Sequence, residues 1–116
     1  MPKPVIKRVY EPPVPKDGRR ILVDRLWPRG LKKSDAALDH WFKKVGPSTA
    51  LRQWFGHRPE RWPEFRRRYR AELAKNPALE ELRALVKRRR VTLLYGAKDS
   101  AHNQAVVLAE YLHGGK

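Results

Sequence analysis

The sequence has 116 residues, enough for one domain with one core, and no cysteine, which excludes disulfides, cysteine metal sites and thiol nucleophiles. Its 27 lysines and arginines outnumber 12 acidic residues, for a net charge of +15. That excess attracts polyanions, with nucleic acid the first partner to weigh and anionic membrane the second, but charge alone favours a generic basic surface that serves solubility and ion pairing. The start, Met-Pro-Lys-Pro-Val-Ile-Lys-Arg, lacks the apolar run of a secretion signal. No stretch approaches the ~20 apolar residues of a membrane span, so a cytoplasmic protein with no membrane partner is expected.

Val5 to Tyr10 reads as a first strand, with Val5, Ile6, Val9 and Tyr10 set among lysine and arginine. Glu11 to Gly18 holds three prolines and a closing Asp-Gly, which predicts a loop. Arg20 to Leu26 is a second strand, and its unalternating Ile21-Leu22-Val23 predicts burial on both faces and a central position. Trp27-Pro-Arg-Gly30 ends it, because Pro28 bars the helical region at Trp27 and Gly30 permits a tight turn. Ser34 to Val45 fits two patterns. Leu38, Trp41, Phe42 and Val45 suit a helix, whereas the alternation of Leu38, His40 and Phe42 against Asp39, Trp41 and Lys43 suits a strand.

Three helices follow. Ser48 caps the first, which runs to about Phe55. The second spans about Pro59 to Lys75 and carries Trp62, Phe65, Tyr69 and Leu73 as one stripe, with Arg66, Arg67, Arg68 and Arg70 on other faces. The third starts near Asn76 as cap with Pro77 at its first position, buries Leu79, Leu82, Leu85 and Val86, and ends in Lys87 to Arg90. Those four cations complement the helix dipole with no ligand at all. Val91 to Tyr95 is a last strand, again unalternating and again central. Gly96 to Ser100 turns into a final helix with Ala101, Ala105, Leu108 and Leu112 in line, Val107 and Tyr111 beside them, and Gly114 and Gly115 at its end. The predicted fold is α/β, in three layers: a small, mostly parallel sheet with helices on both faces.

Ligands of such sheets sit beyond the carboxyl ends of the strands. That rule selects Asp24 to Gly30 and Tyr95 to Asn103. The first loop offers Asp24, Arg25 and Arg29; the second offers Tyr95, Lys98, Asp99, Ser100, His102 and Asn103. Three cations beside a helix N-terminus suit a phosphate group. Asp24 and Asp99 suit general acid and base if their strands are neighbours. Structural readings compete: Asp99 or Ser100 as a helix cap with His102 or Asn103 exposed in the first turn, and Asp24 with Arg25 as an internal ion pair. The histidines His40, His57, His102 and His113 lack metal-ligand spacing, and no phosphate loop or serine-hydrolase elbow is present, so neither metal nor cofactor is expected. Trp54 and Trp62 flank Phe55-Gly-His57-Arg58 and could stack on bases, but the spacing of Trp62 with Phe65 and Tyr69 favours core packing.

The chain resembles the YeaO-like family, domain of unknown function 488, from about Ile6 to Leu112. The motifs that carry the resemblance are Val23-Asp-Arg-Leu-Trp-Pro-Arg-Gly30, Asp39-x-Trp41-x-Lys43, Pro47-Ser48, Leu51-Arg52-x-Trp54-Phe55, His57, Trp62-x-x-Phe65, Val91-Thr-Leu-Leu-Tyr-Gly-Ala-Lys-Asp99 and His102-Asn103. Gly96 stands where the family often has alanine, a small departure. The resemblance implies a small α/β domain of bacterial or archaeal, intracellular origin, and no reaction. Three functions fit the residues. One is a binding module for a phosphate-bearing ligand, nucleic acid or nucleotide, held by Arg25, Arg29 and Lys98 and extended along the arginines of the second helix. Another is an enzyme acting on such a ligand through Asp24 or Asp99, with Tyr95, Lys98 and His102 assisting. The last is a structural or protein-interaction domain.

Overall fold

The two unalternating runs form the middle of the sheet. A computed structural model describes residues 3–114. In it, strands β1 (Val5–Arg8), β2 (Arg19–Leu22), β3 (His40–Trp41) and β4 (Val91–Tyr95) are all parallel, in the order β1-β4-β2-β3. Val5 lies opposite Thr92, and Arg19 opposite Val91. Every residue of β4 is buried, as a strand covered on both faces must be.

Alternation sorts the central strands into two cores. Ile21, Val91, Leu93 and Tyr95 belong to the larger, which also takes Phe65, Tyr69, Leu73, Leu82, Leu108 and Leu112 from the helices. Leu22 and Leu94 face the other way, onto Val9, Trp27, Leu31 and Leu38. The larger side is covered by α2 (Thr49–Phe55), α3 (Trp62–Ala74), α4 (Leu79–Arg88) and α5 (Gln104–Gly114). The smaller side is covered by the return from β2 and the single turn α1 (Lys33–Ala36), whose Ala36 carbonyl accepts from Arg20 at 3.2 Å. The α/β architecture is thus as expected, with layers of unequal weight and a sheet that is wholly parallel.

Several boundaries differ from expectation. The first strand stops at Arg8, where the Glu11 N–H closes a turn on the Arg8 carbonyl at 3.0 Å, and Tyr10 is exposed. The second loses its ladder after the Val23 N–H meets the Leu94 carbonyl at 3.0 Å. Residues 34–45 are neither one helix nor one strand. The single turn α1 closes at Ala37 in the left-handed region, His40–Trp41 pairs with Ile21 and Leu22, and Lys43–Val45 forms a 3-10 turn. Pro59–Arg61 is likewise a 3-10 turn ahead of α3. The Asn76 side chain does accept the Ala78 N–H at 2.9 Å, but α4 begins only at Leu79. The expected stop at Gly115 lies outside the described residues.

Two polar devices hold the layers. Ser48 caps α2 through the Leu51 N–H at 3.2 Å, and its Oγ donates to Glu72 of α3 at 2.6 Å. Asp17, 5% exposed, pairs with Lys7 at 3.0 Å and with Arg20 at 2.7 Å. Burial alone would raise the Asp17 carboxyl; hydrogen bonds from Lys7, the Val14 N–H and Arg20 outweigh it and hold the pKa below the ordinary value.

Candidate functional site

Four parallel strands present four carboxyl ends on one side, and a cleft of about 940 Å³ opens there. The end of β1 contributes Arg8 and Tyr10, the end of β2 contributes Asp24 to Arg29, and the end of β4 contributes Gly96 to Asp99 with His102 to Gln104. Helix α2, capped by Ser48, leans over the opening and adds Arg52, Gln53 and Phe55. Both loops selected by strand-end geometry therefore meet in one cavity. Its volume lies in the ordinary range for small-molecule sites.

Asp24 is the polar floor. Its carboxylate accepts the Gly96 N–H at 2.9 Å and a hydrogen bond from Gln104 Nε2. Gly96 makes this approach possible: a Cβ there would stand 2.8 Å from Asp24 Oδ2 and 3.2 Å from Pro28 Cβ. Burial pushes the carboxyl up to about 6, against the lowering effect of both hydrogen bonds and of His57. Asp24 thus keeps its proton to a higher pH than an ordinary aspartate. The Asp24 carbonyl accepts from Trp41 Nε1 at 2.7 Å, and Trp41 meets Trp27 edge to face at 5.3 Å.

The anticipated Asp24–Arg25 pair does not form. Arg25 turns the other way and donates to the carbonyls of Pro47 at 2.8 Å and Gly46 at 3.0 Å. Arg8 likewise donates to the carbonyls of Ala97 and Gly96 and lies over the Tyr10 ring. Arg29 and Lys98 are exposed at the mouth. Arg52 stands half-buried in the wall, and its Nε is buried with no hydrogen-bond partner. Five cations therefore line the cleft against two carboxylates, and none of the five forms an ion pair among the described residues. Leu26, Trp27, Pro28, Phe55 and Phe65 supply an apolar wall.

The second carboxylate is organised differently. Asp99 accepts from His102 Nδ1 at 2.8 Å and from the backbone N–H groups of Ala101 and His102. The His102 contact, more than any other, holds its pKa below the ordinary value. His102 in turn meets the Trp62 ring edge-on at 5.2 Å. Trp62 itself packs against the core, as its spacing predicted.

Other residues are placed away from their expected positions. Asn103 is not exposed in a first turn: it is 2% exposed and caps α5 itself, accepting the Ala105 and Val106 N–H groups at 2.9 and 3.2 Å. Those two N–H groups are therefore taken, which weakens the case for an anion at that helix terminus. Tyr95 is 4% exposed in the larger core, where burial raises its hydroxyl pKa, and it does not line the cleft. Ser100 is exposed and also lies outside the lining. The arginines of α3 are largely occupied: Arg67 and Arg68 by Glu64, and Arg66 by Glu110. Arg52 was not among the site residues read from sequence. Its signal was its place in the Leu51-Arg52-x-Trp54-Phe55 motif, one turn after a capping serine. Among the described residues, no group of three histidines and carboxylates is placed to hold a metal ion, and no helix is long and apolar enough to cross a membrane.

Residues 4–115 match a family described as the inactive DUF488-N3 subclade. The uncharacterized protein YeaO of Escherichia coli is 50% identical over 107 residues, covering 91% of this chain and 93% of its own. An uncharacterized protein of Mycobacterium tuberculosis is 47% identical over 109 residues, covering 94% and 92%. A Mycobacterium bovis protein, also uncharacterized, matches to the same extent. No solved structure matches the chain.

Proposed function

The chain belongs to the DUF488 family, and on that premise we propose that it acts as one domain that binds a phosphate-bearing ligand, a nucleotide or the nucleotide unit of a nucleic acid, in the strand-end cleft. The observation that carries this reading is the set of five cleft cations without a carboxylate partner, with Arg52 Nε buried and unsatisfied. A buried donor left unpaired is costly, and an anionic oxygen is the acceptor that relieves it best. Arg52 holds a phosphate oxygen from the wall while Arg29 and Lys98 close on the phosphate from the mouth. Trp27 and Phe55 offer apolar surface to a base or sugar, and Asp24 accepts from a hydroxyl or amino group.

Binding without chemistry accords with the word inactive in the family's description. One observation favours a second reading, an enzyme. Asp24, with a pKa near 6, can act as general acid or base at neutral pH, opposite an Asp99–His102 pair that holds an imidazole in place.

Calorimetric titration with AMP, ATP and a short single-stranded oligonucleotide tests both. Arg52→Gln is expected to weaken binding roughly 10- to 100-fold, the equivalent of the ~1.5–3 kcal/mol of hydrogen bonds to a charged group, with melting behaviour retained. Millimolar or absent binding, or an Arg52→Gln variant that binds like the parent, refutes the binding reading. Turnover of any of these probes that Asp24→Asn abolishes selects the enzyme.

A further inference from the structure

A parallel sheet has a second pole, where its strands begin. There Lys3 precedes β1, Lys16 and Arg19 lead into β2, and Arg88 to Arg90 lead into β4. Because the order is β1-β4-β2, these three groups stand side by side, at a strand spacing of roughly 4.8 Å. Hydrogen bonds to main-chain oxygens tie the second and third groups together. The Arg19 N–H donates to the Arg90 carbonyl at 2.9 Å, and Arg90 Nη1 reaches the Lys16 carbonyl at 3.4 Å. The two segments run so close that a Cβ at Gly18, whose φ is +63°, would sit 2.3 Å from the Arg90 carbonyl oxygen.

Charge compensation separates this pole from the basic face of α3. On α3, Arg66 has Glu110, Arg67 and Arg68 have Glu64, and Arg70 lies over the Tyr111 ring. At the strand starts, Asp17 is buried and already paired with Lys7 and Arg20, and Asp39 pairs with Arg19 at 3.7 Å. Lys16, Lys87, Arg88, Arg89 and Arg90 are exposed and have no carboxylate within ion-pair distance among the described residues. The dipole of α4 accounts for Lys87 and Arg88 in its last turn, but Arg89 is already extended and Arg90 lies beyond it.

We infer that this strand-start pole is a docking surface for the phosphate backbone of nucleic acid, separate from the strand-end cleft and indifferent to sequence. Its cations extend from backbone that the strand starts and a helix end hold in place. A membrane-inserting contact would add an amphipathic helix with an apolar face, and attraction to anionic headgroups alone is an outcome the test separates. Phosphate contacts of this kind give affinity and position without base readout.

The test is fluorescence anisotropy of the full chain with a 20-base-pair DNA duplex and a 20-nucleotide RNA, over a salt series. The parent is run beside R88Q/R89Q/R90Q and the charge-retaining R88K/R89K/R90K, with melting curves on each. The glutamine triple is expected to lower the slope of log affinity against log salt on duplex DNA by about 2–3, near 0.9 per lost contact, while the lysine triple keeps it. AMP binding in the cleft is expected to be unchanged by the glutamine triple and weakened by Arg52→Gln, so the two sites fail or survive separately. No binding to either polynucleotide, binding equal in parent and glutamine triple, or binding only to phosphatidylserine vesicles overturns the inference.

Discussion

Replacing Asp24 by asparagine tests the electrostatics of the cleft floor directly. Folding lifts the carboxyl from its ordinary value of 3.8 to about 6, chiefly because burial penalises the charged form. A folded pKa above the unfolded one stabilises the protein fully below the unfolded value, and that contribution is lost as pH rises through the folded value. The window is therefore pH 4 to about 7. Moving the carboxyl from 3.8 to about 6 corresponds to about 3 kcal/mol, taken as an upper limit because Asp24 is only half-buried. Asparagine keeps the local geometry: its carbonyl accepts the Gly96 N–H, and its amide donates to Gln104 once that side chain turns over. Urea unfolding of the parent and Asp24→Asn at pH 4, 5, 6 and 7.5 gives the difference in stability at each pH. The variant is expected to gain on the parent by ~2–3 kcal/mol between pH 4 and 7.5. A difference flat with pH would mean that Asp24 titrates normally, and the account of a proton-exchanging floor would fall.

Two further outcomes follow from the polar devices of the fold. Ser48→Ala removes both the cap of α2 and the link to Glu72, and is expected to cost about 1–2 kcal/mol in urea unfolding, lowering cleft affinity as well, since α2 carries Arg52. Asp17→Asn breaks a buried pair while leaving Arg20 in place, and is expected to cost ~3–5 kcal/mol at pH 7. Because the folded Asp17 carboxyl lies below its ordinary value, its contribution is present above pH 4 and is lost as pH falls through the folded value. Acid titration by circular dichroism should therefore show a shallower acid transition in the variant than in the parent.

The parts of the fold legible in sequence were those with a single physical cause. Ile21-Leu22-Val23 and Val91 to Tyr95 lack alternation because both faces are covered, and they are the central strands. Residues 34–45 were illegible because three pieces of two to four residues are each too short to establish a period. At the site, strand-end geometry located both loops, yet adjacency misled for Asp24 and Arg25. The chain has left β2 and bends at Arg25, so Asp24 faces Gly96 while Arg25 reaches back to Gly46. Asp99-Ser-Ala-His-Asn103 holds three capping residue types in five positions, and only the tertiary structure selects Asn103. Arg52 reaches the cleft because α2 is tied down through Glu72, a contact 24 residues away in sequence.

The strand order also governs when the sheet can exist. β4, the neighbour on which both β1 and β2 depend, is the last strand made, and its partner β1 lies near the opposite end of the chain. While a ribosome is still adding the first 90 residues, β1 has nothing to pair with and the apolar rows of β2 stay open on one side. Closure must wait for Val91 to Tyr95, so assembly is dominated by distant pairings, the class that folds slowly. In that interval the nascent chain exposes strand edges of the kind that aggregate or recruit chaperones.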